Sequence, residues 1–148
     1  MEHIAALCAY IVLNWSVYPP SEVAQGVCAD VGAAALVEGL PPELALALAY
    51  TESRFNPLAK SARGALGPWQ VLPAYYCPKG RARGCDLVAA GARALVRFRD
   101  KYGPTWRAAL CHWNSGNHCY RRSRLFARIV LGRAHELTSN AGRLGCGI

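Results

Sequence analysis

The chain has 148 residues, a formal net charge of +8 and 53% hydrophobic residues. This length suits one domain with a substantial core, and the hydrophobic content excludes wholesale disorder. We find no internal repeat and no low-complexity linker, so we expect a single domain over 1–148.

The charges are distributed unevenly along the chain. Residues 1–53 hold six acidic residues and no lysine or arginine, whereas residues 54–148 hold all 17 basic residues and three acidic ones. The two parts therefore carry −6 and +14, which together give +8. A basic surface of this kind favours a polyanionic partner, either nucleic acid or an anionic polymer of the bacterial envelope. The alternative is that the arginines only solvate helix faces.

The first third of the chain reads as three helices. An apolar run of ten residues begins at Ile4. This run is too short to span a bilayer, and it lacks the basic segment of a secretory signal because only Glu2 and His3 follow Met1 before it. We therefore expect an extra packed helix within 1–20 rather than an export signal or a stable membrane span. The alternative is that residues 3–18 act as a weak membrane-arrested leader. Ser21 is predicted to cap a second helix, and Pro42 opens a third that runs to Ser53.

The rest of the chain is also predicted to be mainly helical. The segment 54–85 is rich in glycine and proline, so it should form loops and short pieces. Asp86 can cap a fourth helix and Thr105 a fifth. A last helix should cover about 120–137, followed by an irregular tail over 138–148. No alternating strand pattern is visible, so the fold class is predicted to be mainly α.

Seven cysteines are present, which is typical of an oxidising compartment. Two pairs lie eight residues apart, Cys77 with Cys85 and Cys111 with Cys119. A disulfide in each pair would close a short loop and typically adds about 2–3 kcal/mol. The others are Cys8, Cys28 and Cys146, and the odd count leaves at least one cysteine unpaired.

The pair formed by Cys111 and Cys119 has a second interpretation. His112 follows Cys111 and His118 precedes Cys119, and both residue types bind zinc. Because the spacing matches no common zinc pattern, we expect a disulfide and no metal site there.

Glu52, in the last turn of the predicted third helix, is the candidate for acid chemistry. Helical spacing puts it near the apolar face of Leu44 and Leu48, where poor solvation would keep its proton bound to higher pH. The alternative is a glutamate at a helix end that merely faces water. Ser53 could orient the carboxylate or cap the helix.

Two later segments offer groups of the kind that bind sugars. Trp69 and Gln70 lie in a glycine-punctuated loop and supply an aromatic ring and an amide, although a tryptophan in a loop is usually part of the core. Asn114 opens a polar turn after a helix, and a plain helix-terminating turn explains it equally well.

The combination resembles the lytic transglycosylases of the soluble-lytic type, which are goose-lysozyme-like enzymes. Their motifs read Glu-Ser-x-Phe-Asn-Pro, then Ser-x-x-Gly-Ala-x-Gly-Leu-Met-Gln, then Ala-Tyr-Asn-Ala-Gly. The matching segments here are Glu52-Ser53-Arg54-Phe55-Asn56-Pro57, Ser61-Ala62-Arg63-Gly64-Ala65-Leu66-Gly67-Pro68-Trp69-Gln70 and His112-Trp113-Asn114-Ser115-Gly116. The resemblance covers roughly 28–131, which we take as the transglycosylase core.

The resemblance implies a lysozyme-like α+β domain, mainly helical, with a substrate cleft and an irregular loop region after the catalytic helix. Glu52 would be the single catalytic acid and Ser53 its supporting serine. The residues expected to bind substrate are Ser53, Trp69, Gln70, Trp113 and Asn114. Trp69 replaces a methionine beside the cleft and should enlarge the stacking surface. A second departure from the family pattern lies in the last motif, where a tryptophan replaces a tyrosine. That residue is Trp113, whose indole can donate but not accept a hydrogen bond.

The resemblance also implies the reaction, which is cleavage of the MurNAc–GlcNAc β-1,4 bond of peptidoglycan without a cofactor. Most glycosidases need two carboxylates. Asp86 and Asp100 are better explained as a helix cap and a surface charge. We therefore expect the substrate's acetamido group to act as nucleophile and a 1,6-anhydroMurNAc end to form.

Peptidoglycan strands are thus the expected partner of a monomeric enzyme acting in the bacterial envelope, and the compact basic chain fits a phage origin. Specific nucleic-acid binding is not expected. The alternatives are a muramidase that hydrolyses the same bond and a non-catalytic basic module that binds the envelope.

Overall fold

The computed structural model describes residues 1–144, with side chains described through residue 140. Its α-helices are α1 (Glu2–Asn14), α2 (Ser21–Val37), α3 (Pro42–Ser53), α4 (Pro73–Tyr76), α5 (Leu87–Tyr102), α6 (Trp106–Ser115) and α7 (Arg121–Leu144), with a 3-10 turn at Pro78–Gly80. Within residues 1–144 the only β pairing consists of two isolated bridges at Leu66. The mainly α fold class is therefore confirmed.

Two of the predicted helix starts are confirmed by side-chain hydrogen bonds. The Asp86 carboxylate accepts the backbone N–H groups of Val88 and Ala89 at 3.1 and 3.0 Å. The Thr105 hydroxyl accepts that of Ala108 at 3.2 Å. Ser21, by contrast, is the first residue inside α2, and its side chain forms no cap hydrogen bond, so that predicted cap is wrong.

The predicted irregular tail is wrong for 138–144, because α7 continues to Leu144. The Thr138 hydroxyl donates to the carbonyl of Ala134 at 3.0 Å, and the Asn140 amide donates to that of Glu136 at 2.8 Å. These polar side chains return to the preceding turn, so they do not end the helix. Residues 145–148, including the predicted unpaired Cys146, lie outside the described residues.

Helix α3 runs through the middle of the core. Seven consecutive residues of this helix, 44–50, are buried, so it is covered on all sides rather than on one stripe. It packs against α2 and α7, and α7 packs in turn against α6. This packing fixes the C-terminal end of α3, where Glu52 lies.

Helix α1 packs into the same core. Ile4 approaches α2 at Gly32 so closely that a Cβ there would lie 2.6 Å from its side chain. The carboxylate of Glu136 on α7 accepts hydrogen bonds from the Tyr10 hydroxyl at 2.8 Å and the Trp15 indole at 2.9 Å. None of the helices described for this chain is both long and apolar enough to cross a membrane.

Three disulfides are formed among the described cysteines. The predicted pairs Cys77–Cys85 and Cys111–Cys119 are confirmed, with Cα–Cα distances of 5.5 and 5.6 Å. The third joins α1 to α2 and had not been predicted; its members are Cys8 and Cys28.

Candidate active site

Helix α3 ends abruptly at Ser53, one residue after Glu52, and this ending positions Glu52. Arg54 and Phe55 both adopt left-handed backbone angles, with φ of 52° and 63°. Such angles cost on the order of 1 kcal/mol each for residues other than glycine. The Arg54 guanidinium offsets this cost by donating to the Ser16 carbonyl at 2.7 Å, and the Phe55 side chain is fully buried.

Ser53 is committed to the backbone rather than to a ligand. Its hydroxyl lies 3.1 Å from the carbonyl oxygen of Ala49 and 2.8 Å from that of Pro68. The second contact ties the end of α3 to the glycine-rich loop. Ser53 is not among the residues that line the cleft described below, and these bonds give it a role in positioning the loop. A contact between Ser53 and substrate stays a prediction.

The glycine-rich loop folds into a tight hairpin that presents Gln70. Leu66 and Val71 exchange both backbone hydrogen bonds, at 2.9 and 3.1 Å. The Gln70 amide donates to the carbonyls of Ala59 and Gly67, both at 3.0 Å. These bonds fix the side chain and leave its carbonyl oxygen free of protein donors within the described part of the chain.

A cleft of about 480 Å³ opens beside the end of α3. Of the predicted site residues it is lined by Glu52, Gln70, Trp113 and Asn114. A second depression of about 520 Å³ lies between α2 and α5 and contains none of them. We take the first as the candidate site, because its residues come from all three motifs of the sequence.

Glu52 is half-buried at the wall of this cleft. Burial raises the pKa of its carboxyl from 4.5 to about 8, and a hydrogen bond from the Trp113 side chain partly opposes that rise. Desolvation dominates because the charged form loses more hydration than one donor restores. The carboxyl therefore keeps its proton at neutral pH, as a general acid must.

Trp69 does not face the cleft, and the predicted stacking surface is wrong. Its side chain is fully buried and packs against Gly91 of α5, where a Cβ would lie only 2.2 Å from the ring. The ring centroid lies 6.4 Å from that of Trp113. Trp69 thus packs against Trp113, the residue whose side chain donates a hydrogen bond to Glu52.

Asn114 is exposed at the mouth of the cleft in the last turn of α6. The disulfide Cys111–Cys119 closes a ring around this turn. Because both sulfurs are used in that bond, the zinc interpretation of this segment is wrong. The neighbouring His112 stacks on Tyr102, with centroids 3.8 Å apart.

A family model described as the transglycosylase SLT domain matches residues 31–127. The chain belongs to the transglycosylase SLT family. No curated protein and no solved structure matches it. The matched segment runs from α2 into α7 and contains every residue that lines the cleft. Membership supports lytic transglycosylase activity on peptidoglycan and action in the bacterial envelope.

The SLT domain has further cleft residues that sequence reasoning missed. Tyr75 and Tyr76 of α4 and Phe98 of α5 form an aromatic wall, and Arg63 adds the one basic side chain among the lining residues. Burial raises the pKa of Tyr76, and the nearby positive charge of Arg97 partly opposes this. The adjacent tyrosines were the available signal, but nothing local indicated which way they faced.

Glu52 is the only carboxylate among the residues that line the cleft of the SLT domain. The three acidic residues that follow it all have other roles. Asp86 caps α5, Asp100 pairs with the neighbouring Arg99 at 3.2 Å, and Glu136 accepts two hydrogen bonds from α1 and the residues after it. Within the described part of the chain, the site therefore offers one acid and no second carboxylate to activate water.

Proposed function

We propose that this SLT protein is a lytic transglycosylase that cleaves the MurNAc–GlcNAc β-1,4 bond, with Glu52 as its single catalytic acid. One observation carries the proposal: the cleft has a single carboxylate, and its pKa is raised to about 8. Such a group can donate a proton at neutral pH and accept one afterwards.

In the first step the Glu52 carboxyl protonates the glycosidic oxygen, and the bond from C1 to that oxygen breaks. The oxygen of the MurNAc 2-acetamido group attacks C1 and replaces the missing second carboxylate as nucleophile. The leaving GlcNAc departs with the proton, and Glu52 becomes an anion. The Trp113 indole, which donates to this carboxyl, stabilises the anion.

In the second step the Glu52 carboxylate removes the proton of the C6 hydroxyl of the same MurNAc. The C6 oxygen then attacks C1, the acetamido oxygen leaves, and the 1,6-anhydro ring closes. Glu52 regains its proton, so the cycle consumes no water and no cofactor.

Three side chains of the cleft are suited to hold the sugar. The Gln70 carbonyl oxygen can accept a hydrogen bond from a sugar hydroxyl. The side chain is fixed in place, because its amide nitrogen already donates to two loop carbonyls. Asn114 presents an exposed amide at the mouth. The Trp113 ring offers the stacking surface that was predicted for Trp69.

The proposal includes the setting in which the enzyme works. Three disulfides favour an oxidising compartment, which agrees with action in the envelope. We further propose that the protein acts as a monomer, and that its compact basic chain serves a phage in lysis or wall penetration.

Mass spectrometry of the muropeptides released from purified peptidoglycan tests the reaction. We expect 1,6-anhydro ends from the wild type and a loss of rate of about 100- to 10,000-fold in Glu52→Gln. Glu136→Gln is the matched control and should keep its rate. Reducing ends that carry one added water would instead identify a muramidase. An undiminished biological effect of Glu52→Gln would identify a non-catalytic binding module.

A further inference from the structure

A small covalent ring of positive charge lies beside the cleft. The disulfide Cys77–Cys85 closes it, and we call residues 77–85 the basic ring. Its three charged residues are all cationic and all exposed, namely Lys79, Arg81 and Arg83. Hydrogen bonds within the ring, including Gly80 N–H to the Cys77 carbonyl at 3.0 Å, fold it into successive turns.

Among the residues that the structure describes, no acidic group pairs with the charges of the basic ring. The ion pairs found in the described part of the chain are His3–Glu43 and Arg99–Asp100. The next acid along the chain is Asp86, whose Oδ1 is occupied by two N–H groups of α5. Three cations within five consecutive residues and without a counter-charge repel one another, so an anionic ligand would relieve that repulsion.

The basic ring is continuous with the aromatic wall of the cleft. Its Gly80 lies against the backbone of Ala74, since a Cβ at Gly80 would be 3.5 Å from the Ala74 carbonyl oxygen. The two residues after Ala74 are Tyr75 and Tyr76, which line the cleft. The Arg97 guanidinium, 5.8 Å from the Tyr76 ring centroid, extends the positive surface along that wall.

We propose that the basic ring binds the carboxylates of the stem peptides carried by the glycan strand in the cleft. This inference rests on the proposed function, because the cleft must hold a glycan. Each stem is attached to the lactyl group of a MurNAc residue, so its carboxylates necessarily lie beside the bound sugars. The disulfide restrains the backbone that carries the cations before binding, which lowers the entropy cost of ordering this loop.

The test compares two variants that each remove three exposed positive charges. Lys79→Gln/Arg81→Gln/Arg83→Gln neutralises the basic ring. Arg121→Gln/Arg122→Gln/Arg128→Gln on α7 is the matched control, because none of these residues lines the cleft. Both are placed in the Glu52→Gln background, so that binding to sacculi is measured by sedimentation without turnover. Circular dichroism melting checks that both variants fold.

The substrates separate the sources of negative charge. Sacculi treated with hydrofluoric acid keep their stems but lose wall phosphate polymers. A further sample is digested with an N-acetylmuramyl-L-alanine amidase, which removes the stems and leaves only the lactyl carboxylates. Because these strands are no longer cross-linked, they are coupled to beads, and binding is again measured by sedimentation. Each is measured at low and at high salt.

We expect the basic-ring variant to bind stem-bearing, phosphate-free sacculi about fivefold to tenfold more weakly at low salt, the size expected of three exposed charge pairs. The difference should shrink at high salt and fall below about twofold on stem-free strands. The α7 control variant should show the same loss of binding, relative to the parent protein, on stem-bearing sacculi and on stem-free strands.

An equal loss on both substrates would overturn the proposal, and so would unchanged binding to stem-bearing sacculi. A loss seen only before hydrofluoric acid treatment would also overturn it, because the partner would then be a phosphate polymer. The proposed function fails separately, if wild-type protein releases no anhydro ends while the difference in binding persists.

Discussion

Glu52 has two surroundings at once, and both are needed for the proposed chemistry. It closes a helix whose preceding turns are completely buried, yet its side chain forms part of the wall of an open cleft. Burial raises the pKa, while the cleft gives the substrate access to the proton. The neighbouring Ser53 and Trp69 are not among the residues that line the cleft; they hold the loop and the Trp113 ring in place.

The hydrogen bond from Trp113 to Glu52 leads to a prediction about the pH dependence of the rate. This bond stabilises the charged form of Glu52 and so lowers its pKa, while burial raises it. Trp113→Phe keeps an aromatic ring but removes the donor, and the pKa should therefore rise. Because the acid must be protonated at the start of the reaction, activity falls on the alkaline side of its pKa.

We expect the alkaline limb of the wild-type rate profile to lie near pH 8. In Trp113→Phe it should move to higher pH by up to about one pH unit, the size of a hydrogen bond to a charged group. The rate of muropeptide release between pH 5 and 10 measures it. A limb that moves to lower pH would contradict the proposed role of the indole.

At the scale of elements, the cleft depends on how closely α5 approaches the glycine-rich loop. Gly91 lets the Trp69 ring lie directly on the helix backbone. The Trp113 ring packs against the rings of both Trp69 and Phe98, with the Trp113 and Phe98 centroids 5.4 Å apart. A side chain at this one position would therefore displace the support of the cleft wall.

Gly91→Ala should lower the free energy of unfolding by about 1–3 kcal/mol, because the added methyl group overlaps the ring of Trp69. Gly132→Ala on α7 is the control, since nothing lies within 4 Å of its Cβ. It should be neutral or stabilising by up to about 1 kcal/mol through helix propensity. Urea unfolding of both variants measures this, and equal effects would show that the contact is unimportant.

The sequence predicted most of the helices because their ends carry local signals. Asp86 and Thr105 cap α5 and α6, and Pro42 opens α3. Helix α4 was missed, since four residues within a proline-rich loop give no periodic pattern. The end of α7 was predicted too early, at about residue 137, whereas the Thr138 hydroxyl bonds back to the Ala134 carbonyl and the helix continues.

The site was predicted where the chemistry is local and was missed where it depends on distant packing. Glu52 and Gln70 lie within or beside recognisable motifs, and the structure brings both to the cleft with Asn114. The burial of Trp69 depends on Gly91, which is 22 positions further along the chain. No property of the loop itself indicates that pairing.

The whole molecule combines a core tied by disulfides with a strong separation of charge. The acidic residues cluster in 1–53, which forms α1 to α3, and the cations lie on the loops and helices that follow. Two disulfides close rings at the cleft, whereas the third holds α1 on α2. The three bonds should therefore contribute differently to stability and to activity.

Cys8→Ala/Cys28→Ala should lower the free energy of unfolding by about 3 kcal/mol, because the bond closes the longest of the three loops. The rate of glycan cleavage should be unchanged at temperatures where the variant is folded. Cys77→Ala/Cys85→Ala should cost less stability, about 2.5 kcal/mol, but should weaken binding to sacculi. Urea unfolding and sedimentation measure the two effects, and the reverse order would be evidence against this division of roles.

The central claim concerns the proton on Glu52, and its pKa can be measured directly. Titration of the carboxyl carbon by NMR, in protein labelled with ¹³C-glutamate and assigned by comparison with Glu52→Gln, follows that proton. We predict a midpoint near pH 8. A midpoint near the ordinary value of 4.5 would contradict the account, because Glu52 would then carry no proton to donate at neutral pH.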